Sequence, residues 1–141
     1  MYLTQRNQYA LRAIVELARR VGKGPVKVSE IAKAQAIPLR FLEVILGQLK
    51  GSGLVDAKRG YHGGYFLLRQ PEEITVGRVV RYLQGEPDSK ECQSCISKMR
   101  CPFENDCAFA SLWSRVNTAV FNIYDETTIK DLVPDESVAR P

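Results

Sequence analysis

Cys92, Cys95, Cys101 and Cys107 are the only cysteines of this 141-residue chain, and they read C-x2-C-x5-C-x5-C. Thiols gathered in one polar stretch act together, as a metal centre, an iron–sulfur cluster, a redox switch or a disulfide staple. Thiolates are soft donors, and four of them suit [2Fe-2S] and [4Fe-4S] clusters. They suit tetrahedral zinc equally well, for which C-x2-C is a common hook. The spacing does not separate iron from zinc. Lys98, Arg100, Glu104 and Asp106 surround the thiols, with little apolar company beyond Ile96, Met99 and Phe103. Such a loop is expected to depend on its metal for order. No serine, carboxylate pair or phosphate-cradling loop suggests catalysis, so an enzyme is not expected.

Compartment and charge narrow the choice. No apolar run approaches the roughly 20 residues that span a bilayer. The first residues, Met1-Tyr2-Leu3-Thr4-Gln5-Arg6, are too polar to lead a signal peptide. A cytoplasmic protein without a membrane partner is expected, and there a cysteine cluster serves metal or redox chemistry more often than stapling. Net charge is +4, but residues 1–85 carry fourteen Lys/Arg against six Asp/Glu, and residues 86–141 carry six against ten. A basic front and an acidic back suggest that the front meets a polyanion.

The elements that must position these groups follow from periodicity. Ala10, Ile14, Leu17, Ala18 and Val21 form one stripe of a helix over 8–20, with Arg12, Glu16 and Arg19 off it and Thr4 as its cap. A short helix over 28–34 and a tight turn at 35–37 follow. Pro38 then opens a helix over 39–50 that buries Leu42, Ile45, Leu46 and Leu49. Strands over 54–58 and 65–69 flank a glycine-rich tip at 59–64. A helix over 75–83 turns Val76, Val79, Val80 and Leu83 inward. The cysteine loop spans 86–107. A long helix from 108 carries Phe109, Leu112, Trp113, Val116, Val120 and Ile123 on one face, a last turn starts near Thr128, and a tail runs from 134.

That order predicts a mainly α fold with a small β-hairpin, a winged helix-turn-helix over 1–85. Residues 108–133 supply a long C-terminal helix and terminal turn. The helix after Pro38 is of a size to enter a DNA major groove, and a basic hairpin reaches neighbouring phosphates. Arg40 and Glu43 are candidate base readers, and Phe41, beside Leu42, fits either the groove side or the core. Gln48 is placed toward phosphates. Pro38 at the head of that helix, and Arg59 and Gly60 at the hairpin tip with Tyr61 and His62, complete the candidate DNA-binding set; His62, the sole histidine, fits a loop contact better than a metal ligand. Leu112, Trp113, Val116, Val120 and Ile123 fit a dimer interface better than a helix folded onto its own domain.

The chain resembles the bacterial regulator family that includes IscR, NsrR and CymR. The resemblance covers about residues 1–132. It rests on Tyr9-Ala10-Leu11-Arg12-Ala13, Phe41-Leu42-Glu43, Arg59-Gly60 with Gly63-Gly64-Tyr65, Val76-Gly77, and Cys107 with Leu112-Trp113. It implies a homodimeric winged-helix repressor or activator, many members carrying an iron–sulfur cluster, on a near-palindromic DNA site. Cluster-binding members use C-x5-C-x5-C plus one non-cysteine ligand, and Cys95, Cys101 and Cys107 reproduce that spacing. The histidine or aspartate of such members corresponds here to Ala110 or Gln8, so the extra Cys92 is the expected fourth ligand. Zinc-stabilised and thiol-switch regulators are the near alternatives. A small iron–sulfur electron carrier is the distant one, and it leaves the basic wing unexplained.

Overall fold

Thr4 starts the fold: its hydroxyl accepts the Asn7 backbone N–H at 3.2 Å, so the first helix begins at Gln5. The computed structural model describes residues 3–84, 102–103 and 106–134. Helices α1 (Gln5–Arg19), α2 (Val28–Gln35) and α3 (Leu39–Leu49) lead through a short turn (Lys50–Ser52) to strands β1 (Val55–Lys58) and β2 (Gly64–Leu67). Another turn (Pro71–Glu73) precedes α4 (Val76–Gln84), α5 (Ala110–Glu126) and α6 (Ile129–Leu132). β1 and β2 pair antiparallel, Val55 opposite Leu67 and Lys58 opposite Gly64. The winged-helix arrangement is therefore present, with the expected separate helix near the C-terminus. No described helix is long and apolar enough to cross a membrane.

One core joins these elements. Ala10, Ile14 and Leu17 of α1 meet Ile31 of α2, Leu42, Leu46 and Leu49 of α3, Leu54 and Val55 at the first strand, and Ile74 and Val79 around α4. Two residues depart from the periodic reading of α1. Val21 lies past the helix end and is 47% exposed. Glu16, polar and assigned to the outer face, is 5% exposed because it has polar partners to satisfy it.

The C-terminal turn closes this core. Thr128 and Asp131 cap one another, the Thr128 N–H donating to the carboxylate at 2.9 Å and the Asp131 N–H to the hydroxyl at 3.2 Å. The Thr128 backbone N–H first, and then the Thr128 side chain, hold the Asp131 carboxyl below its usual range. The Ile129 N–H donates to Ile74 O at 2.8 Å, and the Ile129 side chain is fully buried. The sequence places residues 128–133 with the long helix; their apolar side chain belongs to the core of the N-terminal elements.

α5 meets the body along α4. Gly77 leaves room for the Asp125 carboxylate, which a Cβ at 77 would overlap. Arg81 grips that carboxylate with both terminal nitrogens, Nη2 to Oδ2 at 2.9 Å, and its guanidinium lies 4.8 Å from the centre of the Phe121 ring. The Arg81 hydrogen bond lowers the Asp125 pKa, against a smaller opposing effect of burial. Because the folded value is the lower one, the stabilisation is fully present above the unfolded carboxylate value of about 4 and is lost as pH falls through the folded value. The pair is partly exposed, so Asp125→Asn is expected to cost only about 0.5 kcal/mol at pH 7. Urea titrations at fixed protein concentration should show the two proteins converging as pH falls below the unfolded carboxylate value of about 4.

Candidate nucleic-acid interface and cysteine centre

The turn between α2 and α3 is set by Ala36, left-handed at φ 52 and ψ 44, the one non-glycine positive φ among the described residues. Ile37 follows, its N–H donating to Ala32 O at 3.0 Å and its side chain buried. Pro38 stands one position before the first helical residue, at φ −57, and α3 begins with no side-chain cap and no acid in its first turn. Its first N–H groups therefore face outward with the positive end of the helix dipole. The buried stripe of α3 is Leu42, Ile45, Leu46 and Leu49. Pro38, Arg40, Glu43 and Gln48 are exposed, and Phe41, which fitted either place on sequence, is 62% exposed. Val44 lies beside it at 61%.

Polar braces fix this unit. The buried Glu16 carboxylate accepts from Gln35 Nε2 at 2.7 Å and from Arg20 Nε at 2.9 Å, with Arg19 at 3.7 Å. It thereby ties α1 to the last residue of α2, immediately before the turn. At the far end of α3, the Arg6 guanidinium donates to the Gln48 side chain, and the Tyr82 hydroxyl donates to Gln48 O at 2.7 Å. Gln48 thus joins an arginine from α1 at the exposed surface.

The wing hangs on a close crossing. A Cβ at Gly64 would stand 2.5 Å from the Val26 carbonyl, and one at Gly63 would overlap Lys58 O. Val26 and Tyr65 exchange backbone bonds of 2.8 and 2.7 Å through that gap, a third-strand contact that periodicity did not reveal. At the tip Arg59, Gly60 and His62 are exposed and Tyr61 is 84% exposed. The Lys27 ammonium sits 5.1 Å from the Tyr61 ring centre, and His62 meets the same ring edge-on at 5.0 Å.

Of the four cysteines, Cys92, Cys95 and Cys101 lie outside the described residues. Cys107 is a half-buried free thiol whose carbonyl accepts the Ala110 N–H at 3.2 Å, directly before α5. Among the described residues no group of three or more His, Cys, Asp or Glu is placed to hold a metal. Ala110 has no donor atom, and the Gln8 amide donates to Leu3 O at 3.1 Å. Thiolates at the four cysteines would fit an iron–sulfur cluster or zinc. Along α5, Leu112, Val116 and Ile123 are exposed, Trp113 and Val120 are half-buried, and none of its residues is buried.

Residues 3–135 match the family model Rrf2, described as an iron-dependent transcriptional regulator. The chain belongs to the Rrf2 family. It is 33% identical over 132 residues to the HTH-type transcriptional regulator CymR of Bacillus subtilis, covering 94% of this chain and 89% of that protein. It is 33% identical over 138 residues to the regulator IscR of Sodalis glossinidius, covering 98% and 82%. The solved structure of T. potens IscR matches with a TM-score of 0.78 at 27% identity, over 100% of this chain and 94% of that one. This Rrf2 protein is a DNA-binding transcriptional regulator, and its relatives are not named as enzymes.

Three residues at the Rrf2 candidate interface were missed on sequence. Val44 carries a sequence signal, an apolar residue off the buried stripe of α3. Arg6 and Glu16 gave none, since Gln48 and Gln35 lie 42 and 19 positions away. Glu16→Ala would leave the Gln35 amide without its acceptor and Arg20 with Glu30 alone, at 3.9 Å. It is expected to cost about 1–3 kcal/mol, several degrees of melting temperature by calorimetry. Arg12→Ala, on the exposed side of α1, should leave stability within about 0.5 kcal/mol.

Proposed function

We propose that this regulator is a homodimeric, sequence-specific DNA-binding protein controlled by an iron–sulfur cluster on Cys92, Cys95, Cys101 and Cys107. The observation that carries the reading is the gathering of every thiol of an iron-dependent family's member into the sixteen residues of sequence that lead to α5, Cys107 standing just before that helix. When bound, the cluster supplies a redox- and ligand-sensitive centre that oxygen, nitric oxide or iron supply can alter. The chain's own part is to hold it with soft donors and to pass its state to α5.

On the DNA side, α3 lies in the major groove with Pro38 and its uncapped first turn toward the backbone. Arg40 and Glu43 face base edges, and Gln48 lies near phosphate. Arg59 and Gly60, with Tyr61 and His62, carry the wing to the neighbouring backbone. Two copies pair through Leu112, Trp113, Val116, Val120 and Ile123. An exposed apolar stripe of that length is rare on a lone subunit. Two-fold symmetry then calls for half-sites about one helical turn apart, or a multiple. A zinc-bound or bare thiol form is the second reading. It is favoured by the equal identity to CymR and to IscR.

Iron, acid-labile sulfide and zinc per chain, measured on anaerobically purified protein, separate these readings. Stoichiometric iron and sulfide are expected, lost in Cys101→Ala, together with a change in operator affinity. Zinc alone, or equal affinity with and without the cluster, would defeat the sensor. Arg59→Ala should weaken operator and unrelated duplex by similar factors and lower the slope of log affinity against log salt by about 0.9. An unchanged slope in gel-shift titrations would remove the wing arginine from the interface.

A further inference from the structure

Phe41 and Val44 stand one helical turn apart on the outward side of α3, 62% and 61% exposed. Val44 lies at the centre of that face, with Arg40 and Phe41 one turn before it and Gly47 and Gln48 one turn after. Neither Phe41 nor Val44 carries a polar atom in its side chain, so neither reads a base by hydrogen bonding. The surface they present is apolar in the middle of a polar, basic neighbourhood. The major groove offers one apolar group, the C5-methyl of thymine.

Gly47 points the same way. A Cβ there would meet nothing within 4 Å, and its φ is not positive. Neither packing within the chain nor backbone conformation asks for glycine, which is a poor residue inside a helix. Bare backbone at that position lets an outside surface come close to α3 beside Val44.

We propose that Phe41 and Val44 determine operator specificity by packing against thymine methyl groups in the major groove. The inference rests on the DNA-binding reading above and adds the chemical feature that is read. Burying one methyl corresponds to about a fourfold change in affinity.

The test is a preferred duplex selected from a random pool by the full-length protein, resynthesised with each thymine in turn replaced by deoxyuridine, which lacks only the methyl. Affinity is expected to fall about fourfold at one or two thymines in each half-site. In Val44→Ala or Phe41→Ala, both on exposed positions, the loss at those same thymines should vanish. Gly47→Ala should raise the melting temperature while weakening the selected duplex. A selected duplex that tolerates every deoxyuridine would overturn this inference and leave the regulator reading standing. So would methyl losses that persist unchanged in both alanine variants. A pool that yields no preferred duplex would overturn both.

Discussion

The slimness of one helix face governs the arrangement around it. Ala10 and Ala13 of α1 have no exposed surface, and their side chains end at Cβ. Helix axes approach as closely as the side chains between them allow. α2, α3, α4, α6 and β2 all pack against this one helix. A larger residue at Ala10 or Ala13 would push outward whichever element it met, and α3 is among them. At these two positions the elements packed on α1, α3 among them, have only methyl groups to accommodate. Ile14 and Leu17 fill the remaining space, and the Glu16 brace fixes the end of α2 from the same element.

What the sequence disclosed follows the range of each signal. Periods of 3.6 and 2 are local, so the helices, the hairpin and the buried stripes of α3 and α4 were legible from spacing alone. Thr4 and Thr128 were legible as helix starts because capping acts within three residues. The polar ties were not, because Glu16 to Gln35, Arg6 to Gln48 and Arg81 to Asp125 join residues whose proximity only the tertiary fold creates. Glu16 shows the conflict most plainly: its type argued for solvent, and Gln35 from α2, with Arg20 one turn on, overrode the argument. Val26 is a similar case. One residue makes no strand pattern, yet its backbone completes the sheet edge beside Tyr65.

α5 has an unusual standing in this fold. It buries none of its residues, and among the described residues these ties lie toward its C-terminal end: Phe121 and Asp125 on Arg81, Thr127 O on the Val76 N–H, and Ile129 in the core. The opposite end begins just after Cys107. At about 1.5 Å per residue, the 17-residue helix is roughly 25 Å long. A helix anchored at one end and joined to the thiols at the other can carry a change in one place to contacts in another.

Ala36 has a different kind of importance. A left-handed alanine is strained by about 1 kcal/mol, and glycine would relieve that strain at the helix-turn-helix corner. Glycine would also let the corner wander in the unfolded chain and in the free protein. With alanine, and with Ile37 and the Glu16–Gln35 bond on either side, the corner has one geometry before any partner arrives. The entropy of ordering it is then lost when the chain folds, not when it associates. Contacts made at the surface of α3 would then be backed by a corner whose geometry is already fixed.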